Sequence, residues 1–97
     1  LNSKISVFYN YPNPTKDDKT TFRYFIPDAE KAEIKIYSSS GFLVKEIPNI
    51  SFTENEYSEV LWDVSDELPG LYLGNLIIHK DGKQFDSRFT KVLVNSQ

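Results

Sequence analysis

The chain contains no cysteine, which excludes a disulfide framework and thiolate chemistry. Its fold must be held by packing and hydrogen bonds alone. His79 is the single histidine, so the usual imidazole and thiolate donors cannot assemble a transition-metal site, and no cofactor is expected. A Ser-His-Asp triad would have to use His79 as its base, and no nucleophile-elbow sequence is present. The residue types therefore give no catalytic set, and His79 reads as an ordinary strand residue. No apolar run approaches the roughly 20 residues that span a bilayer. There is no signal peptide and no initiating methionine, so Leu1 reads as the start of an excised piece with any export signal upstream. Charge of one sign is scarce as well: 14 acidic against 11 basic residues leave a net charge of −3, which gives no general attraction to nucleic acid.

What is present points to one β domain. Ninety-seven residues suit a single unit, here residues 1–97, that buries roughly two-thirds of its unfolded surface. Leu, Ile, Val and Phe are too frequent for a disordered segment. No stretch has helical periodicity. Short segments rich in β-branched and aromatic residues recur instead, separated by turn residues.

Ile5, Val7, Tyr9 and Tyr11 are the alternate apolar positions of a first strand, which Tyr11-Pro12-Asn13-Pro14 should end, because proline has no N–H to give a ladder. Thr15 to Lys19 reads as a polar loop. Thr20 to Ile26 places Phe22, Tyr24 and Ile26 on one side. Ala32, Ile34 and Ile36 form the core side of a third strand, and Ser38 to Gly41 a tight connection. Phe42 to Ile47 is a fourth strand. Ile50 to Glu56 is a loop or a poor strand. Glu56 to Val64 aligns Val60, Trp62 and Val64. Leu71 to Lys80 and Gln84 to Val94 flank Asp81-Gly82, a pair that favours a two-residue type I′ hairpin. Phe85 and Phe89 share one parity and Val92 and Val94 the other, so a bulge is expected between them. About seven strands at such spacing imply an immunoglobulin-like antiparallel β-sandwich.

The framework residues have physical readings of their own. Asn13 can bond nearby backbone and hold its turn. Gly41 suits a left-handed position, Gly70 a close turn into the strand bearing Tyr72, and Trp62 supplies the largest apolar surface for the core.

Tyr11-Pro12-Asn13-Pro14, Thr20-Thr21-Phe22-Arg23-Tyr24, Ile26-Pro27, Ile34-Lys35-Ile36-Tyr37, Gly41, Val44, Trp62-Asp63, Gly70-Leu71-Tyr72 and Lys91-Val92-Leu93-Val94 follow one another in this order. The series resembles the C-terminal sorting domains of type IX secretion in Bacteroidetes-like bacteria. It equally resembles the immunoglobulin-like domain of flagellar hook-capping proteins. The sorting resemblance implies a non-catalytic signal at the C-terminal end of a larger exported protein. It implies two partners: an outer-membrane secretion translocon, and a cargo domain on the N-terminal side. The protein would then pass through the periplasm to the medium or the cell surface. It also implies that the last strand, Lys91, Val92, Leu93 and Val94, with the tail Asn95 to Gln97, is the part most tied to recognition.

Three functions remain open from sequence: the sorting domain, a structural spacer beside a catalytic domain, and a sugar-binding module. Tyr9, Tyr11, Tyr24, Phe25, Tyr37, Tyr57 and Tyr72 could supply a platform for sugar rings, although aromatics also pack across strands. By parity Phe25 and Tyr37 face away from the core. Asp63, Asp66 and Glu67, or Asp17 and Asp18, could offer oxygens to calcium or simply be solvated loop carboxylates. Lys80, Lys83, Arg88 and Lys91 read as edge-strand gatekeepers against aggregation or as a recognition surface.

Overall fold

The computed structural model describes residues 4–95, so expectations that rest on Leu1, Ser96 and Gln97 lie outside the described residues. Seven strands follow in order: β1 (Val7–Lys16), β2 (Lys19–Phe25), β3 (Lys31–Ser38), β4 (Leu43–Ile47), β5 (Tyr57–Asp63), β6 (Gly70–Lys80) and β7 (Lys83–Val94). They form a three-stranded sheet, β1-β2-β5, and a four-stranded sheet, β4-β3-β6-β7, with every ladder antiparallel. This is the immunoglobulin-like sandwich expected from the alternation.

The core lies between the sheets. Phe22, Tyr24 and Ile26 come from one side and Ala32, Ile34, Ile36, Leu76, Ile78, Val92 and Val94 from the other. Trp62 is 2% exposed. A row of rings crosses the first sheet: Phe8 stacks on Phe22 at 5.6 Å, Phe22 on Trp62 at 6.2 Å, and Trp62 meets Tyr72 edge-on at 5.6 Å. The first two pairs sit diagonally across neighbouring strands, where only large side chains reach one another, and Tyr72 meets Trp62 from the facing sheet. Gly74 on β6 makes room for this row. A Cβ there would stand 2.9 Å from the Phe22 ring, so the missing side chain lets Phe22 reach the facing sheet.

Four expectations need correction. The apolar positions read for the first strand are out of phase with its buried side: Phe8 and Asn10 point inward, while Tyr9 and Tyr11 are exposed. Burial of Asn10 is permitted because its amide donates to the Thr20 hydroxyl at 3.1 Å and accepts from Thr90 at 3.3 Å. Pro12-Asn13-Pro14 does not end the strand, which runs on to Lys16, and both prolines follow cis peptide bonds. What the prolines interrupt is the register with β2, between Tyr11 and Lys16. The supposed loop from Thr15 to Lys19 is a hairpin: Lys16 pairs with Lys19, and Asp17 and Asp18 between them both have positive φ. Short polar side chains tolerate that region.

The bulge, finally, lies at Phe85. Ile78 pairs with Asp86 and His79 with Gln84, so Phe85 is the extra residue. From there to Val94 the register is unbroken, and Phe89 points outward. Asp81 and Gly82, with φ of 57° and 74°, make the two-residue turn with both central residues left-handed, as Asp-Gly favours. Ile50 to Glu56 carries no strand, although Ile50 is buried.

Two outcomes are expected. Gly74→Val should destabilise the domain by about 1–3 kcal/mol, the usual range for overpacking, and Phe22→Leu in the same chain should recover part of that loss. Additive effects in a denaturant-melt cycle would show that the two sites do not touch. The second outcome concerns Tyr24, whose buried hydroxyl donates to Ser51 O at 2.7 Å and whose pKa burial pushes up from 10.0 to about 12. A folded pKa above the unfolded one gives stability that is complete below pH 10 and lost as pH climbs toward 12. Tyr24→Phe should therefore show a shallower fall in melting temperature across that window than the parent chain.

Candidate functional site

The strand that resemblance ties to recognition is the terminal one, and its edge is already occupied. β7 is the last strand of its sheet, and an edge strand offers unpaired N–H and C=O groups. The second half of β1 lies against it. Asn13 Nδ2 donates to Lys91 O at 3.0 Å, and Asn13 Oδ1 accepts from Leu93 N at 2.9 Å. One step further, Thr15 Oγ1 accepts from Asn95 N at 3.0 Å, and Thr15 O accepts from Asn95 Nδ2 at 3.2 Å. The prolines on either side of Asn13 cannot donate from their backbone, so the Asn13 amide stands in for the missing ladder, donating once and accepting once.

The same junction continues inward and back along the strand. Thr90, Asn10, Thr20 and the Pro12 carbonyl form a hydrogen-bonded chain inside the sandwich. At the other end of β7, Asp86 accepts from the backbone N–H groups of Lys4 and Ile5, and the Arg88 guanidinium donates to Ser6 O. The contacts rise together, from residues 4–6 with 86–88 to Thr15 with Asn95, so β1 and β7 run parallel across a seam made by side chains.

Within Lys91 to Val94 the side chains divide by parity. Val92 and Val94 are core residues. Lys91 and Leu93 face outward on the four-stranded sheet. That outer face is ordered in rows by the register. Leu43, Tyr37, Leu73 and Lys91 form one, and Glu46, Lys35, Asn75 and Phe89 the next; Leu71 lies across from Leu93.

The framework residues take these places. Pro12, Asn13 and Pro14 are exposed on the seam, with Tyr11 just before them. Gly41 sits in the β3–β4 turn, its N–H donating to Ser38 O at 2.9 Å. Trp62 and Tyr72 meet in the core, and the Tyr72 hydroxyl holds the preceding loop through Leu68 O at 2.6 Å. Asp63 accepts from Ser65 N at 2.9 Å, a bond that holds its carboxyl below the usual range. Gly70 begins β6 and Gly82 completes the last hairpin.

Other candidates separate. Tyr9, Tyr11, Phe25 and Tyr57 share the outer face of the three-stranded sheet, whereas Tyr24 and Tyr72 are buried and Tyr37 lies on the opposite face. On that outer face Glu59 accepts from Tyr11 at 2.6 Å and from Arg23 at 2.8 Å, and the Arg23 guanidinium covers the Tyr57 ring at 4.1 Å. The Tyr11 hydroxyl, and then Arg23, hold the Glu59 carboxyl below its ordinary pKa. His79 Nε2 meets Glu33 at 2.8 Å beside a shallow groove lined by Lys31, Pro48 and Asn49. Lys80 is paired with Asp28, and Arg88 belongs to the seam, while Lys83 and Lys91 are exposed. Asp17 and Asp18 are turn residues. Among the described residues no group of three or more His, Asp or Glu gathers to hold a metal. Sequence reasoning placed Asn95 in the recognition tail but missed the seam residues Thr15 and Thr90; the signal for them was a polar residue in a strand that otherwise alternates.

The model of the secretion system C-terminal sorting domain family matches residues 10–92, from within β1 to within β7. The chain belongs to that family. Such sorting domains direct type IX secretion, and mark proteins that are exported and then secreted or attached to the cell surface. The sorting domain is itself non-catalytic and implies interaction with the secretion machinery. Among solved structures the sorting domain is similar to part of dimeric latent PorU from Porphyromonas gingivalis, with a TM-score of 0.70 and 23% identity. The match covers 91% of this chain and 9% of that one, and it carries the fold. No curated protein sequence matches the chain.

Asn13→Ala should remove both bonds to β7 and cost about 1–2 kcal/mol, since the site is open enough for water to replace part of them. Amide hydrogen exchange at Leu93 should speed up clearly more than at Asn95, which Thr15 still holds. Unchanged exchange at Leu93 would show that Asn13 does not clamp the strand.

Proposed function

We propose that residues 1–97 form one domain at the C-terminal end of a larger exported protein, and that cargo on its N-terminal side is carried out by the outer-membrane translocon. In this reading the framework residues Tyr11 to Pro14, Gly41, Trp62, Asp63, Gly70, Tyr72 and Gly82 hold the fold. Lys91 to Val94 are the recognition strand. Val92 and Val94 anchor it in the core, and Lys91 and Leu93 present it. Any catalysis by the whole protein belongs to the cargo.

The observation that supports this most is the seam. A terminal strand that merely closed a sandwich would need only its ladder to β6. This one is also held along its free edge by Asn13 and Thr15, which fixes the strand and its outward side chains in one position. Binding to a preorganised surface loses less entropy than binding to a mobile tail.

Residues 1–97 placed behind an unrelated periplasmic reporter should move that reporter into the medium of a host with type IX secretion. Retention in the periplasm, with circular dichroism showing the domain folded, would remove the sorting reading for this chain and leave a structural spacer.

A further inference from the structure

We infer that the machinery reads the outer face of β6 and β7 around Asn75, and that the partner is a folded protein surface. That surface is apolar, offers an N–H or O–H donor to Asn75 Oδ1, and places a carboxylate near Lys91. The inference rests on the sorting reading and says where, and with what chemistry, recognition occurs.

Asn75 is the starting point. It stands in the middle of β6 on the outer side, between Lys35 of β3 and Phe89 of β7. Its side chain is only 9% exposed, and Oδ1 is buried with no hydrogen-bond partner among the described residues. Buried acceptors are rarely left this way. Inside the same sandwich Asn10 is satisfied on both sides of its amide, whereas Asn75 Oδ1 is not. An apolar residue of similar volume would suit the folded domain better. A donor brought by a partner would complete the site once the flanking side chain of Lys35 or Phe89 moves aside to open Oδ1.

The surroundings are what such a partner would cover. Phe89 is 56% exposed, and Leu71 and Leu93 are each 42% exposed on the same face. Phe89 beside a desolvated polar centre, with Leu71 and Leu93 two rows along the same face, is the composition of a contact surface rather than of open solvent. Lys91 is exposed beside them and joins no ion pair among the described residues, whereas Glu33 on this face is taken by His79. An acidic group opposite Lys91 would meet a free cation. Addition of a strand to the edge of β7 at Lys91 to Asn95 is blocked while Asn13 and Thr15 hold it, which leaves the face as the way to read that segment. The face is also continuous with Lys91 and Leu93, the outward residues of the recognition strand.

Reporter fusions of residues 1–97 test this in a host with type IX secretion. Phe89→Ser and Leu93→Ser should each lower the exported fraction about tenfold, as loss of a central contact does. Asn75→Leu should lower export while leaving the melting temperature equal or higher, because it removes an unpaired buried acceptor; a purely structural residue would give the reverse. Tyr9→Ser, on the opposite face, should export like the parent. If Phe89→Ser does not fold, Leu93→Ser and Asn75→Leu decide. Normal export of the folded variants beside an exported parent overturns the face and leaves the sorting reading standing. A parent retained in the periplasm overturns both. Two further outcomes overturn the assigned partner. In one, the isolated domain sediments as a dimer that Phe89→Ser disperses, which makes the occupant a second copy. In the other, the domain binds vesicles of phosphatidylglycerol and phosphatidylcholine in a manner lost with Phe89→Ser, which makes it a lipid surface.

Discussion

The polar seam between β1 and β7 is the constraint on which the rest of the molecule depends. A sandwich of three and four strands has open edges, and here two of them meet. Backbone pairing cannot close that side, since two of the three residues at Pro12-Asn13-Pro14 carry no N–H. Side chains do it instead: Asp86 and Arg88 at one end, Thr90 with Asn10 inside, Asn13 and Thr15 at the other end. Each bond contributes a net of about 1 kcal/mol, so together they are a substantial share of a small domain's stability of about 5–15 kcal/mol. In a chain without cysteine these bonds do what a covalent tie does elsewhere. They also blunt an edge that would otherwise invite another strand.

Much of this was legible in the residues. The Phe22-Tyr24-Ile26 and Ala32-Ile34-Ile36 alternations are strict, and Asp81-Gly82 has one favoured turn, so β2, β3 and the last hairpin followed directly. The first strand was misread because Tyr9 and Tyr11 face out while Phe8 and the polar Asn10 and Thr15 face in. Asn10 and Thr15 are buried by virtue of their hydrogen bonds, and those partners lie on β2 and β7, beyond the reach of local pattern. Gly74 went unnoticed for the same reason: its role is set by Phe22, which faces it from the other sheet. The bulge was misplaced because Phe85 and Phe89 share a parity in sequence but not a face: the first packs against the core and the second faces out. The family resemblance was legible because it rests on turn residues and rings whose local physics is strong. What it left open was which side of the last strand is available.

β7 answers that through its two faces. Val92 and Val94 supply core packing, and Phe89, Lys91 and Leu93 are left outward. Because the side-chain period of a strand is two, a slip of one residue would exchange the two sets. The bulge at Phe85 is placed before the segment that matters, and Asn13 bonds residues 91 and 93 specifically. The register of the outward face is thus fixed from both directions.

The seam also ties recognition to completion of the fold. The bonds described across the seam, from Lys4 to Thr15 on one side and from Asp86 to Asn95 on the other, join residues 78 to 82 positions apart. Contacts of such separation form only after the entropy of closing the intervening chain has been met. The outer face of β6 and β7 does not exist as a surface until β7 has docked, and β7 is not clamped until β1 lies beside it. A partner that reads this face therefore reads a finished domain. An unfinished or unfolded copy would carry the same residues from Lys91 to Val94 but would present no surface. On the proposed reading, the folded state is itself part of the signal.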